Sequence, residues 1–135
     1  MPLALLDTAV ILRHLVQDHV EHTPRARSYM ARIESGEIAV RTTDQVLFEV
    51  GYTLVRTYDA TRTEVRAAIL GLIGLQGIVM PGKERWRRIL DVYVEYRLSI
   101  VDAYHVVLME RLHLTDVVTF DKDFDRVPGV TRIEP

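Results

Sequence analysis

The sequence predicts an α/β fold, a three-layer α/β/α sandwich whose central sheet is mostly parallel. Short apolar runs, typical of buried strands, alternate with longer segments of helical periodicity along the chain. Parallel neighbours require crossovers, which helices usually supply, so this alternation favours parallel pairing. With 135 residues, 48% of them apolar, the chain is predicted to form a single domain over residues 1–135.

The elements of the N-terminal part follow from local signals. Leu3-Ala-Leu-Leu is a short apolar strand, and helical spacing of apolar residues begins at Thr8. Pro24 is placed to open the second helix, and Gly36 ends it. Residues 37–41 form the next predicted strand. Candidate N-caps for the third and fourth helices are Thr43 or Asp44, and Thr61 or Thr63.

The C-terminal part continues the alternation. Residues 77–80 are predicted as a strand, and the helix over residues 84–98 carries Trp86 on its inner side. Ser99 and Asp102 have the spacing of a capping box, which opens an apolar helix that ends at Leu112. The last two strands are predicted over residues 116–120 and 130–133.

Composition narrows the function classes. Seventeen basic and nineteen acidic residues give a formal net charge of −2, so overall charge does not indicate a nucleic-acid binder. The absence of cysteine excludes disulfides, thiolate metal sites and a thiol nucleophile. No window holds ~18 uncharged apolar residues, and the N-terminus lacks the pattern of a secretory leader. The protein is therefore predicted to be soluble and cytoplasmic, without a membrane partner.

Three acids occupy positions where such a fold would bring them together. Asp7 follows the first strand and Asp121 the fourth, and open α/β sheets bind ligands at the carboxyl ends of strands. Asp102 lies in the first turn of the intervening helix, on an apolar arc between Val106 and Met109. We therefore expect these carboxylates to converge. Each also has a structural alternative: Asp7 as a helix cap, Asp102 as part of a capping box, and Asp121 as the cap of a short turn.

Together these residues resemble the PIN-domain ribonucleases, and among them the VapC-type toxins of bacterial and archaeal toxin–antitoxin pairs. The resemblance covers essentially the whole chain. Two departures from the family pattern are Ala9, where many members have Ser or Asn, and His105, where an aliphatic residue is more usual. The motifs, in family order, are Asp7-Thr8 after a strand, Leu47-Phe-Glu49-Val in a helix, Asp102-Ala at a helix start, and Thr119-Phe-Asp121-Lys-Asp-Phe124.

The resemblance implies an acidic quartet of Asp7, Glu49, Asp102 and Asp121, with Thr119 as the polar residue before the last acid. Clustered carboxylates repel one another unless a cation lies among them, and all-oxygen ligands favour Mg²⁺ or Mn²⁺. Such a site predicts metal-dependent hydrolysis of RNA phosphodiester bonds, with no covalent enzyme intermediate. Asp7 and Asp102 are the expected direct ligands. Glu49 and Asp121 are expected to act through bound water or on a second ion.

Two other functions share this sequence pattern: a catalytically silent module of the same fold that binds RNA or protein, and a structure-specific DNA nuclease. Glu49 has its own alternative, because a helical wheel places it away from the apolar arc, where exposed glutamates are common. His105 is interpreted as a partly buried structural residue, and Asp123 and Asp125 as solvated turn residues. Three histidines, His14, His19 and His22, are assigned to a polar loop rather than to a metal site. Two arginine sets could contact phosphate: the first is Arg25, Arg27 and Arg32, and the second is Arg85, Arg87 and Arg88.

The last expectation concerns the oligomeric state of the protein. Five apolar residues fall within positions 69–75, more than one small sheet face readily covers, so part of this surface is predicted to lie at a subunit interface. The resemblance independently implies a homodimer that binds a cognate antitoxin protein.

Overall fold

The computed structural model describes residues 3–135 and divides the chain into two compact units, Met1–Lys83 and Glu84–Pro135. In the first unit three short strands pair side by side, in the order β1, β2, β3, and both pairings are parallel. Val40 stands at the centre, opposite Ala4 on one side and Ile78 on the other. The elements of this unit are β1 (Ala4–Leu5), α1 (Thr8–Val16), α2 (His22–Glu34), β2 (Val40–Arg41), α3 (Asp44–Tyr58), α4 (Arg62–Ile73) and β3 (Ile78–Val79).

Helix starts in this unit follow the predicted caps closely. The Thr43 hydroxyl accepts a hydrogen bond from the Val46 amide at 3.2 Å and so begins α3. At the start of α4, Thr61 and Glu64 exchange both bonds of a capping box, at 3.2 and 2.9 Å. Helix α2 begins at His22, earlier than Pro24 alone indicates, because a proline is tolerated throughout the first turn, where no N–H is needed.

The apolar faces of these helices form the core of the first unit. The apolar cluster of α4, which the sequence assigned in part to a subunit interface, is largely used here: Ile69, Leu72 and Ile73 are buried within the chain. Leu70 and Leu75 of the same cluster are only half-buried, and the homodimer stays a prediction. Other fully buried side chains include Ile11, Ile33, Leu47, Val50, Val65 and Ile78.

The second unit packs two helices against each other and carries a two-stranded parallel ladder. The Ser99 hydroxyl accepts a hydrogen bond from the Asp102 amide at 3.1 Å, which begins the second helix as predicted. Trp86 and Leu98 are fully buried. The elements are α5 (Arg85–Tyr96), α6 (Ile100–Leu112), β4 (Asp116–Val118), a 3₁₀ helix (Lys122–Arg126) and β5 (Thr131–Ile133).

The predicted α/β class with parallel strands is confirmed, since every strand pairing within residues 3–135 is parallel. The strands are shorter than predicted, with ladders of two or three residues, because an apolar run marks a strand while only a paired neighbour fixes its length. The single domain over residues 1–135 stays a prediction. None of the helices in the described chain is long and apolar enough to span a bilayer.

Candidate active site

Asp7 stands at the junction between β1 and α1. It occupies the N-cap position of α1 with extended backbone angles (φ −91°, ψ 162°), yet its side chain makes no capping hydrogen bond. Thr43 and Thr61, at the same position of α3 and α4, both make that bond. The structural alternative for Asp7 therefore lacks its defining contact, and its exposed carboxylate is left available for a ligand.

Glu49 lies near the middle of α3 and is exposed, as the helical wheel indicated. Its Oε2 accepts a short hydrogen bond from the Thr8 hydroxyl. Because Thr8 directly follows Asp7, and α1 packs against α3, this bond links the Asp7 junction to α3. In the sequence Thr8 stands out only as part of the Asp7-Thr8 motif, because no local pattern relates residues 41 positions apart.

Asp102 and Asp121 come together in the second unit. Burial raises the pKa of Asp102 most, and the negative charge of Asp121 and a hydrogen bond between the two carboxyl groups raise it further. A hydrogen bond from Ser99 and the nearby His105 oppose this increase in the pKa. Two carboxyl groups that raise each other's proton affinity form a site that a proton or a cation stabilises.

Asp121 has the capping role that was its structural alternative, and its role in the acid site stays a prediction. Its Oδ1 accepts a hydrogen bond from the Asp123 amide at 2.9 Å, which caps the 3₁₀ helix. The Asp121 amide in turn donates to the Thr119 hydroxyl at 3.0 Å, so Thr119 fixes the backbone that carries the acid. Capping orients one carboxylate oxygen, while the charge of the same side chain raises the pKa of Asp102.

The neighbouring charged residues have ordinary surface roles. Asp123 pairs with Arg126 at 3.0 Å and Asp125 with Arg132 at 3.2 Å, in agreement with their interpretation as solvated turn residues. His105 is exposed rather than partly buried, one turn along α6 from Asp102.

The polar-loop histidines are more structured than predicted. His14 belongs to α1 and His22 begins α2. The rings of His19 and His22 stack at 4.0 Å, and the Nδ1 of His19 accepts a hydrogen bond from the His22 amide.

The carboxyl groups of Asp102 and Asp121 can be compared with the ligands that a divalent cation requires. Across residues 3–135, no three or more His, Asp or Glu side chains lie close enough together to hold a metal ion. Mg²⁺ commonly takes only one or two direct carboxylates and keeps several waters, so a pair is compatible with it. Asp102 and Asp121 have the required oxygen chemistry, and a cation would relieve the repulsion that raises the pKa of Asp102.

The family model of the PIN domain matches residues 4–130, nearly the whole chain. The chain belongs to the PIN-domain family. This confirms the resemblance drawn from the motifs around Asp7, Glu49, Asp102 and Asp121. The assignment of these four acids to a metal site stays a prediction, which the PIN-domain match does not test.

Two characterised proteins are similar along their whole length. One is a VapC ribonuclease of Mycobacterium bovis and the other is ribonuclease VapC13 of Mycobacterium tuberculosis. Each is 26% identical over 131 residues, which cover 96% of this chain and 98% of the relative. The alignment therefore spans all four acids of this PIN domain.

Proposed function

We propose that this PIN domain is an Mg²⁺- or Mn²⁺-dependent endoribonuclease of the VapC type, acting as the toxin of a toxin–antitoxin pair. Membership of the PIN family and end-to-end similarity to two proteins named as ribonucleases support this class. The observation that carries the proposal is the PIN-domain match over residues 4–130, and the effect of Asp121, which raises the pKa of Asp102, supports it. A silent binding module would gain nothing from two acids that repel each other in this way.

The side chains of this chain would divide the work. Asp102 would bind the cation directly and Asp121 would act through a bound water or on a second ion, and the Ser99 and Thr119 hydroxyls hold the backbone that carries these two acids. The Thr8 hydroxyl restrains Glu49, which fits an acid that acts through a bound water. Asp7, free of any capping bond, is the other proposed ligand.

The chemistry that a bound divalent ion supplies is activation of water and neutralisation of charge on the phosphate. The carboxylates would orient the attacking water and accept its proton, while the scissile phosphodiester is held in line with the leaving 3′ oxygen. Ionised acids are required for both tasks. We therefore expect cleavage to fall at low pH, where Asp102, whose pKa is raised, takes up a proton.

Metal removal tests the proposal. Purified protein should cleave single-stranded RNA in Mg²⁺ or Mn²⁺, lose this activity in EDTA, and regain it when metal is restored in excess. Adding Mn²⁺ to the metal-free protein should also raise its melting temperature, because a ligand that binds only the folded state stabilises it. Matched single-stranded DNA separates the DNA-nuclease alternative. RNA cleavage that continued unchanged in EDTA would contradict the proposal.

The antitoxin is the proposed protein partner, and the charge of the site suggests how it inhibits. A guanidinium can bridge two carboxylates with paired hydrogen bonds, so an antitoxin arginine would suit the acids as well as a metal does. We expect the apparent affinity for the cognate antitoxin to fall as Mn²⁺ rises at constant ionic strength. This dependence should disappear in Asp102→Asn. If the affinity did not depend on Mn²⁺ in either protein, the antitoxin would inhibit at a surface other than the acid site.

A further inference from the structure

Among the Phe, Tyr and Trp side chains that the structure describes, Phe120 is the most exposed. It is 71% exposed, although phenylalanine is usually buried, whereas Phe124 is only 4% exposed and belongs to the core. The two phenylalanines stand on either side of the turn that carries Asp121. Phe120 therefore adds little to the core, and packing does not explain why this position is aromatic.

The backbone on both sides of Phe120 is held by hydrogen bonds. The Thr119 amide donates to the Ile133 carbonyl of β5 at 3.0 Å, and the Asp121 amide donates to the Thr119 hydroxyl at 3.0 Å. The exposed ring therefore stands at a fixed point of the chain. An aromatic side chain with two rotatable bonds loses little conformational entropy when a ligand stacks on it.

Lys122, on the other side of Asp121, supplies a positive charge. Its side chain is exposed and, within residues 3–135, has no ion pair and no hydrogen bond. The two acids that follow, Asp123 and Asp125, are already paired with arginines, at 3.0 and 3.2 Å. The ammonium group of Lys122 is therefore free to bind an external anion.

Phe120 and Lys122 flank an acid of the proposed site directly in the chain. Consecutive Cα atoms are ~3.8 Å apart, so both residues lie next to Asp121 in any conformation of the turn. All three belong to the second unit, as does Asp102. An exposed aromatic ring beside a free cation is the combination by which proteins bind single-stranded nucleic acids, because bases stack on the ring and the cation contacts the backbone.

We propose that Phe120 and Lys122 hold the RNA strand at the acid site, with one base stacked on the Phe120 ring and an adjacent phosphate on the Lys122 ammonium group. The inference rests on the proposed ribonuclease function and names two residues that position its substrate. RNA is favoured over an apolar protein surface, because such a surface would cover Phe120 but leave the charge of Lys122 without a partner. Little preference among bases is expected, since every base has a flat face for stacking.

The test is binding of a short fluorescein-labelled single-stranded RNA of mixed sequence, followed by anisotropy over a range of salt concentrations. All proteins carry Asp102→Asn, so that the probe is not cleaved. Phe120→Leu should weaken binding about tenfold and leave the slope of log K against log salt unchanged, as expected for lost stacking. Lys122→Gln should weaken binding and make this slope less steep by about 0.7, the value of one phosphate contact on a single strand.

Three control variants separate these contacts from general effects. Phe120→Tyr keeps the aromatic face and should bind as the parent does. Val118→Thr makes an exposed position of β4 more polar, and Arg111→Gln removes an exposed charge at the other end of α6 from Asp102. Neither change should alter affinity or slope. Because Phe120 is exposed, Phe120→Leu should melt at the temperature of the parent, so that unfolding does not account for its loss of binding.

The outcomes distinguish this inference from the proposed function. If the wild-type protein cleaves RNA but Phe120→Leu and Lys122→Gln bind the probe as tightly as the parent, the positioning role is wrong and the nuclease stands. If both variants show the predicted losses but the wild type never cleaves RNA, the RNA contacts stand and the nuclease is wrong. Equal losses in Lys122→Gln and Arg111→Gln would overturn the inference, because binding would then follow overall charge alone.

Light scattering tests the competing occupant, a second copy of this chain. The mass of Phe120→Leu in solution should equal that of the parent. A change from dimer to monomer in this variant would make Phe120 a subunit contact and would overturn its assignment to RNA.

Discussion

Asp102→Asn should lower the rate of RNA cleavage in Mg²⁺ by at least roughly 100-fold, because even the outer partners of metal ligands typically contribute 10–100-fold. Asparagine keeps the size of the side chain and its bond to the Ser99 cap, but it removes the negative charge that a cation requires. The loss should appear both with Mg²⁺ and with Mn²⁺. Cleavage by Asp102→Asn near the wild-type rate would contradict the assignment of this acid.

The same substitution should raise the melting temperature of the metal-free protein. The pKa of Asp102 is raised by burial and by Asp121, so the folded state binds a proton more tightly than the unfolded state does. Stability of the wild type therefore falls as pH rises from the ordinary aspartate pKa of about 3.9 through the raised value. The advantage of Asp102→Asn should grow over this range and be greatest near neutral pH.

Asp125→Asn is the matched control for both measurements. It removes one negative charge from the same unit, at an exposed residue whose partner is Arg132. Surface ion pairs of this kind contribute about 0–1 kcal/mol, so the melting temperature should stay constant or fall slightly. Its cleavage rate should remain that of the wild type. A fall in cleavage equal to that of Asp102→Asn would indicate a response to total charge rather than to a metal ligand.

Gly77→Ala should destabilise the protein by about 3 kcal/mol or more, the upper end of the range for overpacked interiors. A Cβ at this position would lie 2.3 Å from the Ile38 carbonyl oxygen and 2.7 Å from that of Ile33. Both are backbone atoms, which cannot rotate away as a side chain can. The Gly77 amide also donates to the Ile33 carbonyl at 3.0 Å, and its carbonyl accepts from the Val40 amide at 2.8 Å, so the clash would disturb the pairing of β2 and β3.

Gly71→Ala, in the same unit, should have the opposite effect on stability. Gly71 lies in α4, and a Cβ there would meet no atom within 4 Å. Alanine should therefore stabilise the helix by about 0.5–1 kcal/mol, through a smaller loss of backbone entropy. Urea denaturation of both variants measures the contrast. Equal stability of Gly77→Ala and wild type would contradict this prediction, because the end of α2 and the segment after it would then have to move away from the new Cβ at little cost.

Helix positions could be predicted from sequence because their signals are local. Thr43, Thr61 and Ser99 begin their helices with the hydrogen bonds that their residue types predict. Strand positions were found but not their lengths, since pairing depends on a neighbour that is distant in sequence. Gly77 illustrates the difference: it was recognised only as the start of a strand, and the close approach of two carbonyl groups appears only in the folded chain.

The site divides in the same way. The sequence by itself determined the α/β class and the PIN family. It also identified Asp7, Asp102 and Asp121 as candidate acids, because a position after a strand or at a helix start is encoded locally, whereas Glu49 came only from the family resemblance. Only the tertiary structure decided what each acid contacts: Thr8 bonds to Glu49, Asp121 raises the pKa of Asp102, and Asp7 makes no cap. It also buried Ile69 within the chain. These outcomes depend on which helix faces pack together, and contacts between distant segments leave no periodic signal in the sequence.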